Sequence, residues 1–541
     1  MKKHRSMLLL YCIVILCLVL AACGGEGSGA DGDAADVNSK ILLVNNGKEP
    51  TSLDPPVGFD QVSNDVLNNF MEGLTRLQED HTPGPGVASE WTVTEDEKQY
   101  TFTLREDAKW SNGDPVTASD FEFAFKRILD PNLGAASATL AYVIDGAEAY
   151  NSGEGTADDV QVTAVDEHTL EIKLNKPAPW FLGMMSNPAF FPVHKATVEG
   201  NAQWAAEASS ILSNGPFKLT EWKHDAEIQM VKNDQYWDAD NVHLDGITMK
   251  MVDDSTTAYQ LYESGELHIT GTLPPDVIQS LIDEGKATIE DSAGTYFYRF
   301  NTTMEPFTNA KIRKAFTLAV DRQQIVDLVI KQKHKPATGL VSYGLLEGES
   351  GGDFREQGGE LVKFDIEEAK RLLTEGMEEE GYDTLPSVTL SYNTNDLHQK
   401  IAETMQAMIK TNLGIDITLA SKESKVLTDE QKSLQFQMSR SSWLPDFADP
   451  INFLDIFVSG SPNNRTGWSN SEYDQLIAAA YSEPDVEKRF TYLHEAESIL
   501  MEEMPIMPMY FYNSVYLQKD HLTGVLRHAY GYIDYKYAEL Q

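Results

Sequence analysis

All three cysteines of this 541-residue chain, Cys12, Cys17 and Cys23, fall within its first 23 residues. Everything after Cys23 must therefore fold without a disulfide, a cysteine-held zinc ion or a thiol nucleophile. Stability has to come from packed cores. A chain this long exceeds what one ordinary core accommodates, so two or more domains are expected.

The N-terminus carries the strongest short signal. Lys2, Lys3 and Arg5 precede an almost unbroken apolar run, Leu8–Leu20. That run is too short for a typical spanning helix and suits the core of a signal peptide. It ends in Leu20-Ala21-Ala22-Cys23, followed by Gly24 and Gly25, which resembles a bacterial lipobox. The resemblance implies cleavage of a 1–22 leader and a diacylglyceryl group on the Cys23 thiol. Residues 23–40 are small, polar and acidic, the composition of a flexible tether. No second membrane span is expected, so the chain is read as tethered to the membrane and not crossing it.

The formal net charge is −41, and more negative once Lys2, Lys3 and Arg5 leave with the leader. Such a surface repels phosphate backbones and anionic head groups, which argues against a nucleic-acid partner. Motifs of catalysis are weak. A GxGxxG match at Gly27–Gly32 sits in the tether with no strand before it, and a GxSxG match at Gly348–Gly352 lies among Glu, Gly and Asp. The twelve His are scattered without ligand spacing. No metal site, cofactor or enzymatic activity is expected.

After the tether, short strands alternate with helices. Ile41–Val44 reads as a buried strand, Gln99–Leu104 as a half-buried one, and Val162–Val165 with Thr169–Leu174 as a hairpin. Thr117–Leu129 has capping candidates and Phe121, Phe125 and Ile128 at helical spacing. Lys311–Ile330 reads as one long helix with Ile312, Phe316, Ala319 and Val320 on one face. Ser387–Tyr392, Leu397–Thr411 and Ile415–Leu419 make a strand-helix-strand unit. The alternation implies α/β lobes.

Several segments together resemble the family 5 solute-binding proteins, the oligopeptide and dipeptide binders of ABC importers. They are Asn45–Pro55, Phe70–Leu74, Phe102–Phe121, Gly215–Leu219 and Arg299–Arg322, in that order. Within the third, Ser111–Pro115 reads as a turn and Trp110 as a packing anchor. The resemblance implies a periplasmic-binding-protein-like α/β fold of two lobes with a hinge, of the large type II class with an inserted subdomain. Lobe I would comprise 41–71, 201–295 and 513–541, the inserted subdomain 72–200, and lobe II 296–512. It also implies a peptide ligand, permease subunits of an importer as partners, a monomer, and a place on the extracytoplasmic face of the cell membrane.

The most informative segment is Arg440–Pro450. In peptide-binding relatives a similar segment lies along the ligand, which here brings in Arg440, Ser442, Trp443, Leu444 and Asp446. Asp446 would pair with the ligand's α-ammonium, a charge-assisted bond that every free peptide offers. An extended segment can pair with peptide backbone without reading side chains. Arg440 aligns with an Arg that approaches the ligand carboxylate, although a structural ion pair is an equal reading. Trp443 would form an apolar wall, and Gln61, in a loop after Asp54-Pro55, would flank the ligand. Asp449-Pro450 reads as a turn. Pro445 departs from the family pattern, since it offers no N–H, and 130–138 lacks a Tyr often found there. Alternatives on the same fold are an oligosaccharide or metal-chelate binder and a peptide-signal receptor.

Overall fold

The computed structural model describes residues 40–541, apart from Phe59, Glu349, Ser350 and Gly531. The leader, Cys23 and the tether up to Ser39 lie outside the described residues, as does Ser350 of the GxSxG match. Among the described residues the central mixed sheet has eleven strands. From one edge it runs Ile417–Lys422, Val388–Asn393, Met438–Trp443, Thr288–Phe300, Ile506–Gln518, Ile269–Thr270, Ile41–Asn45, Gly246–Lys250, Glu227–Lys232 and Phe217–Lys223. Lys335–Pro336 pairs with Ile506–Gln518 off this path. Its two halves form the two lobes of an α/β fold.

The lobes meet on two 13-residue antiparallel strands, Thr288–Phe300 and Ile506–Gln518. The last residues of Ile506–Gln518 pair with Ile269–Thr270 in the first lobe, while Thr288–Phe300 pairs with Met438–Trp443 in the second. Their mutual register breaks between Asp291 and Thr295. There the Ala293 N–H donates to the Ala529 carbonyl and the Gly294 N–H to Ser342 Oγ. Gly294 leaves little room at this crossing: a Cβ would lie 2.8 Å from Tyr512 Cδ2 and 3.1 Å from Leu444 Cδ2, so both side chains would have to shift. Such an interruption concentrates bending at one level of an otherwise continuous ladder.

A separate antiparallel sheet of four strands is built from Ala88–Val93, Gln99–Leu104, Thr169–Lys173 and Val162–Ala164. Helix Ala118–Ile128 covers it, started by a Thr117–Asp120 capping box and burying Phe121, Phe125 and Ile128. Trp110 is fully buried beneath it, with Nε1 donating to Asp120 at 3.4 Å. The turn after it has Gly113 at φ 94°, which Asn112-Gly113 permits.

The long helix expected over Lys311–Ile330 is not one element. Ala310–Leu318 ends at Ala319, Arg322–Ile325 follows, and Val326–Ile330 is a π-helical turn closed by Lys331 at φ 62°. The apolar stripe runs unbroken through the gap, and Ile312, Phe316, Ala319 and Val320 are all buried. Asp321 makes the break by accepting from the Gln324 N–H as a new N-cap. Arg322 Nη1 then donates to the Thr317 carbonyl, which also accepts from the Val320 N–H at 3.4 Å.

Around Glu72 and Arg76, buried charge gathers stretches far apart in sequence. Arg76 donates to both Asp534 carboxylate oxygens, at 2.8 and 2.7 Å, with both side chains nearly inaccessible. Glu72 accepts from Tyr236 Oη at 2.5 Å and Trp237 Nε1 at 2.6 Å. Lys536 reaches Asp238 at 2.6 Å. Burial alone would push the Asp534 carboxyl up, but Arg76 beside it wins and holds it below the usual range. A folded-state value below the unfolded one gives stability that is present at neutral pH and lost as pH falls through the carboxylate range. Asp534→Ala should therefore cost about 3 kcal/mol at pH 7 in denaturant unfolding. The gap from the parent should narrow below about pH 4. An unchanged midpoint at pH 7 would remove the pair as a stabilising contact.

Candidate functional site

Strand Met438–Trp443 is held on one side by Thr288–Phe300 along its whole length, from Phe300↔Met438 to Thr295↔Trp443. On its other side Val388–Asn393 pairs only at Leu390↔Met438 and Ser391↔Ser439. Among the described residues, Arg440–Trp443 thus has no strand neighbour on that edge. Backbone groups along such an edge are free to receive an extended chain. The Arg440 carbonyl is already used, accepting from Gln431 Nε2 at 2.9 Å.

Arg440 stands at one end of this edge, in a box of tyrosines. Its guanidinium carbon lies 4.6 Å from the Tyr296 ring centre. Nη1 reaches Asn393 Oδ1 and Nη2 reaches Tyr512 Oη, each at a long 3.4 Å. Nε is buried without a hydrogen-bond partner, and no carboxylate lies within ion-pair distance among the described residues. The ion-pair reading of Arg440 is therefore not what the fold builds. His398 Nδ1 sits 3.3 Å from Tyr296 Oη. Burial, and then the nearby Arg440 charge, push its pKa down to about 4, so it stays neutral.

Asp446 stands beyond the other end. Burial pushes its carboxyl up to about 6, against a bond from Asn452. Asn452 is the organiser that sequence reasoning missed. Its Oδ1 accepts from the Asp446 N–H and from Trp443 Nε1, each at 3.0 Å, and fixes both predicted residues at once. It follows Asp449-Pro450 on the short helix Ile451–Leu454. Asp449 is more than a turn former. It accepts from Ile451 N–H and makes a buried pair with Arg489 at 3.0 and 2.8 Å. A second carboxylate, Asp455, accepts from Tyr481 Oη at 2.7 Å, and burial pushes it up to about 7.

The remaining expected residues divide. Ser442 lies on the open-edged strand opposite Tyr296. Leu444 is 59% exposed and leans towards Gly294. Pro445 is buried. Gln61 is not in a loop. It opens helix Gln61–Phe70, capped by Asp60, and its Nε2 donates to Asp65. Gln61 and Asp65 line a cavity of about 700 Å³ with Glu290, Asp353, Arg527 and Tyr532. That cavity does not reach the 440–446 segment itself. Among the described residues no group of three or more His, Cys, Asp or Glu could hold a metal ion.

The family model described as bacterial extracellular solute-binding proteins, family 5 Middle, matches residues 82–465. The chain belongs to this family. It is 52% identical over 528 residues to the dipeptide-binding protein DppE of Bacillus subtilis, covering 97% of each chain. It is 41% identical to the oligopeptide-binding protein OppA of the same organism, covering 99% of each. The solved structure of Listeria monocytogenes OppA bound to peptide superposes with a TM-score of 0.75 at 31% identity, covering 93% of this chain and 99% of that one. Among the described residues, this family 5 solute-binding protein has a carboxylate and a guanidinium without ion-pair partners, Asp446 and Arg440, towards the two ends of an open strand edge.

A test follows from the raised carboxyl of Asp446. A folded-state pKa above the unfolded one favours the neutral acid, so the carboxyl costs stability as pH rises through about 6. Asp446→Asn should stabilise the ligand-free protein at pH 8 by about 1–2 kcal/mol after solvent screening, the gain vanishing towards pH 4. Equal unfolding midpoints at pH 8 would show that the carboxylate is well solvated.

Proposed function

We propose that this chain is the peptide-binding component of a bacterial ABC importer, which captures a short peptide between its lobes and delivers it to membrane permease subunits. The carrying observation is the order of chemistry along 440–446: an unpaired Arg440 guanidinium, an open strand edge, and a desolvated Asp446 carboxylate. A free peptide offers the complement in reverse, an α-ammonium, repeating N–H and C=O groups, and an α-carboxylate. The seven residues 440–446 span at most about 20–25 Å even if fully extended, so a ligand engaging both ends is a peptide of a few residues. Relatives named as dipeptide- and oligopeptide-binding proteins, and one structure bound to peptide, support the reading.

In this proposal Trp443, Ser442 and Leu444 flank the ligand and Gln61 faces it from the first lobe. Lobe I is 41–71, 201–295 and 513–541, with 72–200 inserted and 296–512 as lobe II. The protein acts as a monomer and transforms nothing. Cys23 carries the lipid that holds it on the extracytoplasmic face. Cys23→Ser should abolish incorporation of labelled palmitate and either release the protein or leave the leader uncleaved. Undiminished labelling would refute the anchor. Two acyl chains suffice for stable attachment.

Breaking one partner of a buried charge pair costs about 2–5 kcal/mol, roughly 30- to 3,000-fold in affinity. Asp446→Ala should therefore weaken trialanine at least about 30-fold by titration calorimetry. N-acetyl-trialanine should bind the parent poorly, and the variant should discriminate far less between the two. Because binding needs ionised Asp446 and a protonated α-amine, parent affinity should peak at about pH 7, fall about tenfold per unit below about pH 6, and fall again above about pH 8 as the peptide amine loses its proton. Equal affinities for free and acetylated peptide in the parent would sink the ammonium role.

A further inference from the structure

The inserted subdomain touches the second lobe beside Asp446 through one compact cluster. The segment Asn175-Lys176-Pro177-Ala178-Pro179-Trp180 leads into the short helix Phe181–Met184. Its two prolines fix φ on either side of Ala178, so Trp180 is presented on a stiff arm. The Trp180 ring stacks on Phe447, centres 5.1 Å apart at 11°, and meets the Tyr481 ring edge-on at 5.3 Å. The Arg489 guanidinium, itself fixed by Asp449, lies 5.7 Å from the Trp180 ring. Lys176 Nζ sits 3.6 Å from the Tyr481 ring centre, and Asn187 Nδ2 donates to the Asp446 carbonyl at 3.4 Å. Trp180 is only 7% exposed, although its partners come from the opposite side of the cleft.

We propose that Trp180 is a positioning residue: a latch that closes the inserted subdomain onto the second lobe and, through Phe447, holds the neighbouring Asp446 out of water. The inference rests on the ammonium role given to Asp446 above. The latch contacts exist only when the subdomain and the second lobe meet. They therefore weight the closed arrangement whatever peptide lies inside, and apparent affinity scales with the fraction of protein in that arrangement. Stacked aromatic pairs carry enough energy for such weighting, and the Lys176 cation over Tyr481 adds to it. The latch should thus set how long a captured peptide stays, not which peptide is chosen. Encounter precedes closure, so the effect belongs to dissociation.

The test compares Trp180→Ala, Trp180→Phe and Lys176→Met with the parent, each checked for folding by circular dichroism. Stopped-flow binding of trialanine should show dissociation about tenfold faster in Trp180→Ala, with association nearly unchanged. Trp180→Phe keeps a stackable ring and should recover most of the loss, while Lys176→Met should lie between. The same factor should apply to Phe-Ala-Ala and Lys-Ala-Ala. In small-angle scattering without peptide, the radius of gyration of Trp180→Ala should equal or exceed the parent's, and with saturating trialanine it should exceed the parent's. The proposal is overturned if dissociation is unchanged in Trp180→Ala. It is equally overturned if the three peptides are affected differently, which would make Trp180 a wall of a side-chain pocket. If the parent binds none of these peptides, the peptide reading fails. The latch is then judged by hydrogen–deuterium exchange alone: Trp180→Ala and Lys176→Met should each speed exchange at 446–449, and unchanged exchange there overturns it.

Discussion

The rest of this molecule depends on the pairing of Thr288–Phe300 with Ile506–Gln518. Each strand serves both lobes, so the sheet passes from one lobe to the other without ending. Hydrogen bonds along the ladder resist shearing, while the break between Asp291 and Thr295 hands backbone bonding to Ala529 and Ser342. The strand that carries Arg440 and Trp443 is bonded directly to Thr288–Phe300. The candidate binding residues therefore sit one strand away from this crossing.

Charge is used in two opposite ways. Arg76, Asp534, Glu72, Lys536 and Asp238 satisfy one another in a buried network that binds distant stretches of chain. Around 440–446 the groups are left short of partners. Arg440 leans on aromatic rings and long hydrogen bonds, and Asp446 is held by an amide and no cation. Burying charge without its complement is costly, which is the condition under which a ligand bearing that complement gains most.

Local pattern made much of the fold legible. The Gln99–Leu104 strand, the 162–174 hairpin, the Ala118–Ile128 helix and the parallel unit from Val388 to Lys422 were all readable from period and caps. The helix over 311–330 was misread because its apolar stripe crosses a break that only Asp321 marks. At the site, Asp446 and Arg440 stood out because the resemblance pointed to them. Asn452 and Asp455 were missed because an amide and a carboxylate in a short apolar helix carry no periodic signal. Trp180 was missed because it acts across the cleft, with Asn187 and Asp446 lying 259 residues apart. Contacts of that range are set by tertiary closure and leave no local trace.

The open edge at Arg440–Trp443 has a further consequence for solubility. A row of unpaired backbone groups invites a second copy of the chain to add its own strand, the usual first step of sheet-mediated self-association. Here the invitation is short. It begins where Val388–Asn393 diverges after Ser439 and is closed by buried Pro445, which has no N–H to continue a ladder. Four residues suit a short guest peptide but give a neighbouring molecule too little to grip. With no N–H to offer, Pro445 limits how far a neighbouring copy's strand could extend a ladder along this edge.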